Sequence, residues 1–195
     1  MKKLLCLVVV LLLAACASTV RIGGEQVIRE RLSVTVDDAW NMVKIPGGEQ
    51  PYDAWTQEGL PLDHLRFWVK ITDGRALMNP LPKAPGAAEA PRVPTFKSGM
   101  QPEQLVKLFE TLYAADGSLV TISKVEPAVF AGVKGVRFEF SVISKTTEVQ
   151  NKGVGWVVVQ DGAMYASTFV APRLHFFDKH FPRAEAVIRT ARIKG

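Results

Sequence analysis

Cysteine is nearly missing from this chain, which has two in 195 residues, Cys6 and Cys16. Both fall in the first sixteen residues, so no pair is left downstream to form a disulfide, and stability there has to come from a packed core. Histidine is almost as scarce: His64, His175 and His180 are the only imidazoles. The last two are five apart, about 140° around a helix, not the i, i+4 spacing that sets two metal ligands on one face, so no metal site is expected. The chain lacks a Gly-x-Ser-x-Gly elbow, and Gly153-Val154-Gly155 opens a strand pattern instead of a phosphate-binding helix. No cofactor is expected either. Internal repeats are absent, and no apolar run reaches the roughly 20 residues that a membrane-crossing helix needs.

What is present starts at the first residue. Met1, Lys2 and Lys3 form a positive head, Leu4 to Leu13 are apolar throughout, and Ala14 and Ala15 are small. That order is the pattern of a secretory signal. An ordinary small-x-small cleavage site could fall at Leu13-x-Ala15 or Ala15-x-Ala17, but Leu13-Ala14-Ala15-Cys16 closely resembles the lipobox of bacterial lipoproteins. The resemblance implies that residues 1–15 are removed, that a diacylglyceryl group is attached to the Cys16 thiol, and that the new amino terminus is acylated. Each buried methylene adds about 0.8 kcal/mol, so several acyl chains make a durable anchor. In that family an aspartate after the cysteine retains the protein in the inner membrane. Here Ala17 follows, which implies the outer membrane, with the domain facing the periplasm. The membrane, reached through the lipid on Cys16, is thus the first expected partner.

Residues 1–15 hold two of the lysines, and without them the formal charge falls from +5 to +3. So mild a basic excess, with no Lys/Arg stripe interleaved with aromatics, excludes nucleic acid as a partner. Residues 16–30 are polar and glycine-containing and are expected to be a lipidated tether. Residues 31–195 then suit a single domain. Residues 31–36 alternate with a period of two and predict a strand, followed by a turn at Asp37-Asp38 and a second strand from Trp40 to Ile45 that ends at Pro46-Gly47-Gly48. Tyr52 to Gln57 and Leu62 to Thr72 are further strands. In the second, Leu65, Phe67 and Val69 share one face, and Arg66, Trp68 and Lys70 the other. Residues 79–95 carry five prolines and are expected to be a surface loop.

Residues 102–115 predict a helix, with Pro102 at its first position and Leu105, Leu108, Phe109, Leu112 and Tyr113 along one stripe. Four strands follow: 118–125, 135–144, 153–160 and 163–170. Asp161-Gly162, between the last two, is a strong hairpin signal. The tail turns helical around Phe177 and Phe181, and Pro182 is expected to start a new helix burying Ala184, Val187, Ile188 and Ala191. The fold class is therefore α+β, an antiparallel sheet with helices packed on it. The order of helix, strand, Phe138-Glu139-Phe140 strand, Asp-Gly hairpin, Ser167-Thr168-Phe169-Val170-Ala171-Pro172, then a helix through FFDKHFP and a terminal amphipathic helix resembles the PsbP/Mog-type α/β/α sandwich. That fold is shared by many small bacterial lipoproteins.

Two function classes remain. One is an outer-membrane-anchored lipoprotein that acts as a noncatalytic binding or accessory module, its partner an envelope protein, a cell-wall component or a hydrophobic ligand. The other is a small lipid-anchored enzyme with a dispersed site, for which Asp63, His64 and Ser98, Ser118, Ser141 or Ser144 are the available groups. Binding has the more distinctive residues. Trp40, Trp55 and Trp68 lie in the first half, and an exposed pair formed by Trp55 and Trp68 would be a platform for an amphipathic ligand. A cleft collecting polar titratable groups would favour chemistry, and one of purely apolar lining would favour binding.

Overall fold

The computed structural model describes residues 19–45, 49–82 and 91–195. The signal, Cys16 and the Pro46-Gly47-Gly48 break lie outside the described residues. The strands are β1 (Thr19–Ile28), β2 (Leu32–Val43), β3 (Asp53–Thr56), β4 (His64–Ile71), β5 (Leu119–Phe130), β6 (Val133–Ile143), β7 (Gln150–Gln160), β8 (Ala163–Pro172) and β9 (Arg192–Ile193). The helices are α1 (Pro102–Tyr113) and α2 (Phe176–Arg189). All pairings are antiparallel, in the order β1-β2-β3-β4-β8-β7-β6-β5, with β9 added beside β2.

β8 lies inside this sheet and every residue from Ala163 to Ala171 is buried. A strand covered on both faces needs no polar alternation, and the run AMYASTFVA has little. Tyr165, Phe169 and Ala171 join Trp40, Leu65, Phe67, Trp156 and the α2 residues Phe177, Ala184 and Ile188 in one core. Met164, Ala166 and Val170 join Trp68, Phe96, Phe138, Phe140 and the α1 residues Leu105, Phe109 and Leu112 in the other. The sheet is thus a middle layer with a helix on each face.

The predicted helix at 102–115 is present as α1. Gln101 donates its backbone N–H to Gln104 Oε1 at 2.8 Å, and the expected leucines are buried. The hairpin at Asp161-Gly162 is also present, with φ of 51° and 72° at the two residues, the left-handed pair that a two-residue turn between twisted strands requires.

Four expectations are corrected. Thr19 to Ile28 are not tether: they form β1, paired along β2. Only Ile22 and Ile28 of this edge strand are buried, so it carries no alternating pattern. Asp37-Asp38 is not a turn: β2 runs through it, and because Ile22 faces Trp40 while Gly24 faces Val36, the extra residues bulge opposite Gly23. β5 continues past Val125 to Phe130, pairing Pro127 with Val136, which an edge strand tolerates. Finally, Pro182 does not start a new helix but sits inside α2. Phe177, Phe181, Ala184 and Ile188 form one continuous stripe against the sheet, and this packing outweighs the backbone hydrogen bond lost at the proline.

Parts of the proline-rich segment are docked instead of loose. Leu77 N–H donates to the Pro94 carbonyl at 2.8 Å and Phe96 N–H to that of Arg75 at 2.9 Å. Residues 83–90, its middle, lie outside the described residues.

Candidate functional site

The expected tryptophan platform is not formed. Trp55 is 1% exposed and packs in the α2-side core, 4.9 Å from the Phe67 ring. Trp68 is fully buried in the α1-side core, edge-on to Phe109 at 5.2 Å, with its Nε1–H donated to the Leu77 carbonyl at 2.8 Å. The two indoles lie on opposite sides of the sheet, so no single surface presents both. Their size made them core residues: burying a large aromatic on each face is what closes the two layers.

The same strand that buries Trp68 carries a different site at its start. On β4, His64 and Arg66 alternate with Leu65 and Phe67 and share the face of Trp68. They open into a cleft of about 350 Å³ at the end of the sheet where β4 begins and β8 and α1 end. Tyr113, the last residue of α1, closes one side, and Tyr52, just before β3, closes another. The Tyr113 hydroxyl is fixed by the buried Thr168 hydroxyl at 2.6 Å, and Thr168 is the β8 residue paired with Arg66.

Arg66 lies beside both phenols, its guanidinium carbon 4.7 Å from the Tyr52 ring centre and 5.8 Å from that of Tyr113. Its Nε is buried and has no hydrogen-bond partner. Among the described residues, no carboxylate lies within ion-pair distance of it. Arg29, which lines a depression of similar volume, differs on this point: it is paired with Asp53 at 2.9 Å and Glu49 at 3.5 Å.

His64 stacks on Tyr113 with ring centres 6.2 Å apart. Burial, and then the Arg66 charge, hold its imidazole well below the usual 6.5, against the opposing pull of the Leu60 carbonyl. It is therefore neutral at physiological pH, and its buried Nε2 has no partner. Burial likewise pushes the Tyr113 phenol up, with Arg66 acting the other way. The cleft thus holds one fixed positive charge, the carboxyls of Asp63 and Asp116, two unsatisfied nitrogens and walls that mix polar and apolar side chains.

The groups that could have formed a dispersed triad are engaged separately. Asp63 is fully buried and accepts hydrogen bonds from Thr56 Oγ1 at 2.9 Å, Gln57 N–H at 2.7 Å and Glu58 N–H at 2.8 Å, so both its oxygens tie the β3–β4 connection and neither reaches His64. Ser118 and Ser144 line the cleft, where the Ser118 hydroxyl accepts from Lys145 N–H at 3.1 Å and that of Ser144 lies 3.3 Å from Thr146. Ser98 is bound to Asp73. His175 precedes α2 with φ of 70°. His180 is buried on the helix that covers the other face of the sheet, its Nε2 2.9 Å from Glu58 Oε1. Lys179 and His180 together hold the Glu58 carboxyl below its usual range.

Sequence reasoning singled out Trp68 and passed over Arg66 beside it. Alternation put Arg66 on the face of Trp68, but it put Lys70 there too, and Lys70 is exposed, so the pattern alone did not single out Arg66. Tyr52 and Tyr113 carried no mark either.

No family model matches the chain, and no curated protein matches it in sequence. The solution structure of cyanobacterial PsbP (CyanoP) from Synechocystis sp. PCC 6803 superimposes on it with a TM-score of 0.52, over 93% of this chain and 95% of that one, at 12% identity. The fold is PsbP-like. At that identity the likeness shows the fold alone.

Proposed function

We propose that this chain is a lipid-anchored, noncatalytic binding module of the bacterial envelope, held on the outer membrane through Cys16 with its domain in the periplasm. The anchor is supported by the Leu13-Ala14-Ala15-Cys16 sequence and by Ala17 after it. The binding role is supported by one observation above the rest: Arg66, which lines the cleft beside Tyr52 and Tyr113, has no carboxylate partner among the described residues. A guanidinium that lines a cleft without a carboxylate partner is free to take an acceptor from outside. The cleft does collect titratable groups, among them Asp63, His64, Arg66 and Asp116, but among the described residues the hydroxyls of its serines, Ser118 and Ser144, are bonded to Lys145 N–H and Thr146 and not to His64 or an aspartate, and on that ground binding is the activity these residues support best.

The anchor and the cleft are tested separately. Fractionation of cells expressing the full chain is expected to place it with the outer membrane, and Cys16→Ser with the soluble periplasm; equal membrane retention of both contradicts the anchor. Native mass spectrometry of full chain extracted from the envelope is expected to show a small-molecule adduct that Arg66→Gln lacks. Identical spectra contradict the cleft as the site of action.

A further inference from the structure

Resting on the reading of this cleft as the binding site, we propose that its ligand is a small monocarboxylate with an apolar body, gripped by the edge of the Arg66 guanidinium. The guanidinium carbon stands over the Tyr52 ring at 4.7 Å and lies 5.8 Å from the Tyr113 ring centre, and among the described residues no carboxylate meets the edge of its N–H groups. That edge is a fork whose spacing matches the two oxygens of a carboxylate. Nε is itself buried, so the carboxylate oxygens would meet the terminal Nη groups of that fork.

The charge count decides between a monoanion and a phosphate. Among the described residues Arg66 is the only cation that lines the cleft, whereas Asp63 and Asp116 are both there. Asp63 spends its oxygens on the β3–β4 connection, and Asp116 accepts from Ser118 N–H at 2.9 Å. His64 is kept neutral by burial beside Arg66 and adds no second charge. With two aspartates beside the single cation, each negative charge that a ligand brings adds repulsion, so a monoanion is favoured over a dianion. The remaining walls, among them Leu60, Leu62, Met78, Leu81 and Val170, offer apolar surface to the rest of the ligand. A volume of about 350 Å³ is at the lower end of small-molecule sites, which fits a body no larger than a ring with a short chain.

The test uses phenylacetate, its uncharged amide phenylacetamide, and inorganic phosphate. Each is titrated calorimetrically into the full chain in detergent micelles, with Arg66→Gln and Arg66→Lys in parallel so that partitioning into micelles cancels. Phenylacetate is expected to bind saturably and at least about tenfold more tightly than the amide or phosphate, and Arg66→Gln to lose about tenfold or more. Arg66→Lys, which keeps the charge without the fork, should fall between; it also carries the comparison if the glutamine variant fails to fold. Amide shifts should centre on Tyr113 and Asn151. If phenylacetamide binds equally well with shifts at those residues, the carboxylate assignment is overturned and the cleft stands. If phosphate binds more tightly, the monoanion is wrong. Absence of saturable phenylacetate binding overturns the proposal, and shifts confined to the α2 side overturn the cleft reading itself.

Discussion

Adding one methyl group at Gly155 should destabilise the protein, although alanine is ordinarily the better residue. Gly155 is buried in the middle of β7, paired with Phe138 on β6. A Cβ built there would lie 2.3 Å from Phe138 Cζ and 2.6 and 2.8 Å from the two Cε atoms, where carbon atoms settle at about 3.5–4.0 Å. The ring cannot retreat freely: it is fully buried, between Phe109 at 5.3 Å and Phe140 at 5.7 Å. Overpacking of this kind costs about 1–3 kcal/mol, and the backbone advantage of alanine over glycine returns about 0.5–1 kcal/mol. Gly155→Ala should therefore lose about 1–2 kcal/mol in a urea titration followed by tryptophan fluorescence. The cause is isolated by repeating the change in a Phe138→Ala background, where the clash is gone and the added methyl should be neutral or stabilising. Equal losses in both backgrounds, or a gain in the natural one, would refute the reasoning. Gly153 and Phe140 repeat the arrangement, also at 2.3 Å.

Leu108→Ala, on the buried face of α1, should cost about 2–5 kcal/mol in the same titration; a loss near zero would mean that α1 does not close the second core. His64 predicts a pH effect. Because its folded pKa is lowered below 6.5, the unfolded chain binds a proton between the two values that the folded chain does not, so stability is complete above 6.5 and declines as pH falls through that window. Melting temperatures of the natural chain and His64→Gln should therefore diverge on the acid side of 6.5, with the variant the flatter; parallel curves would place the imidazole in solvent.

The elements with strong periodicity were legible in the sequence because one physical cause dominated each. α1 has a proline at its first position and a leucine stripe, and the β7–β8 hairpin has Asp161-Gly162 at a turn that demands positive φ. β1 was not legible because an edge strand with two buried residues has no pattern to show. α2 was broken at Pro182 because local propensity speaks of a lost hydrogen bond and says nothing of the stripe from Phe177 to Ile188 that holds the helix together. The tryptophans were misjudged for a related reason. Alternation along β4 correctly placed Trp68 opposite Phe67, but in a three-layer arrangement both faces are interior, and only the tertiary structure supplies the second cover. The cleft needs Tyr52, Arg66, Tyr113 and Thr168 together, and their meeting depends on β4 pairing with β8 nearly a hundred residues away, which no local spacing encodes.

The central claim is that Arg66 serves a ligand and not the fold, and diffraction from crystals soaked in phenylacetate tests it most directly. The expected result is carboxylate density within hydrogen-bond distance of the guanidinium edge, with the phenyl ring against the apolar wall formed by Met78 and Val170. The contradicting result is a guanidinium already paired with a carboxylate of the chain itself and a cleft with no room for the ring.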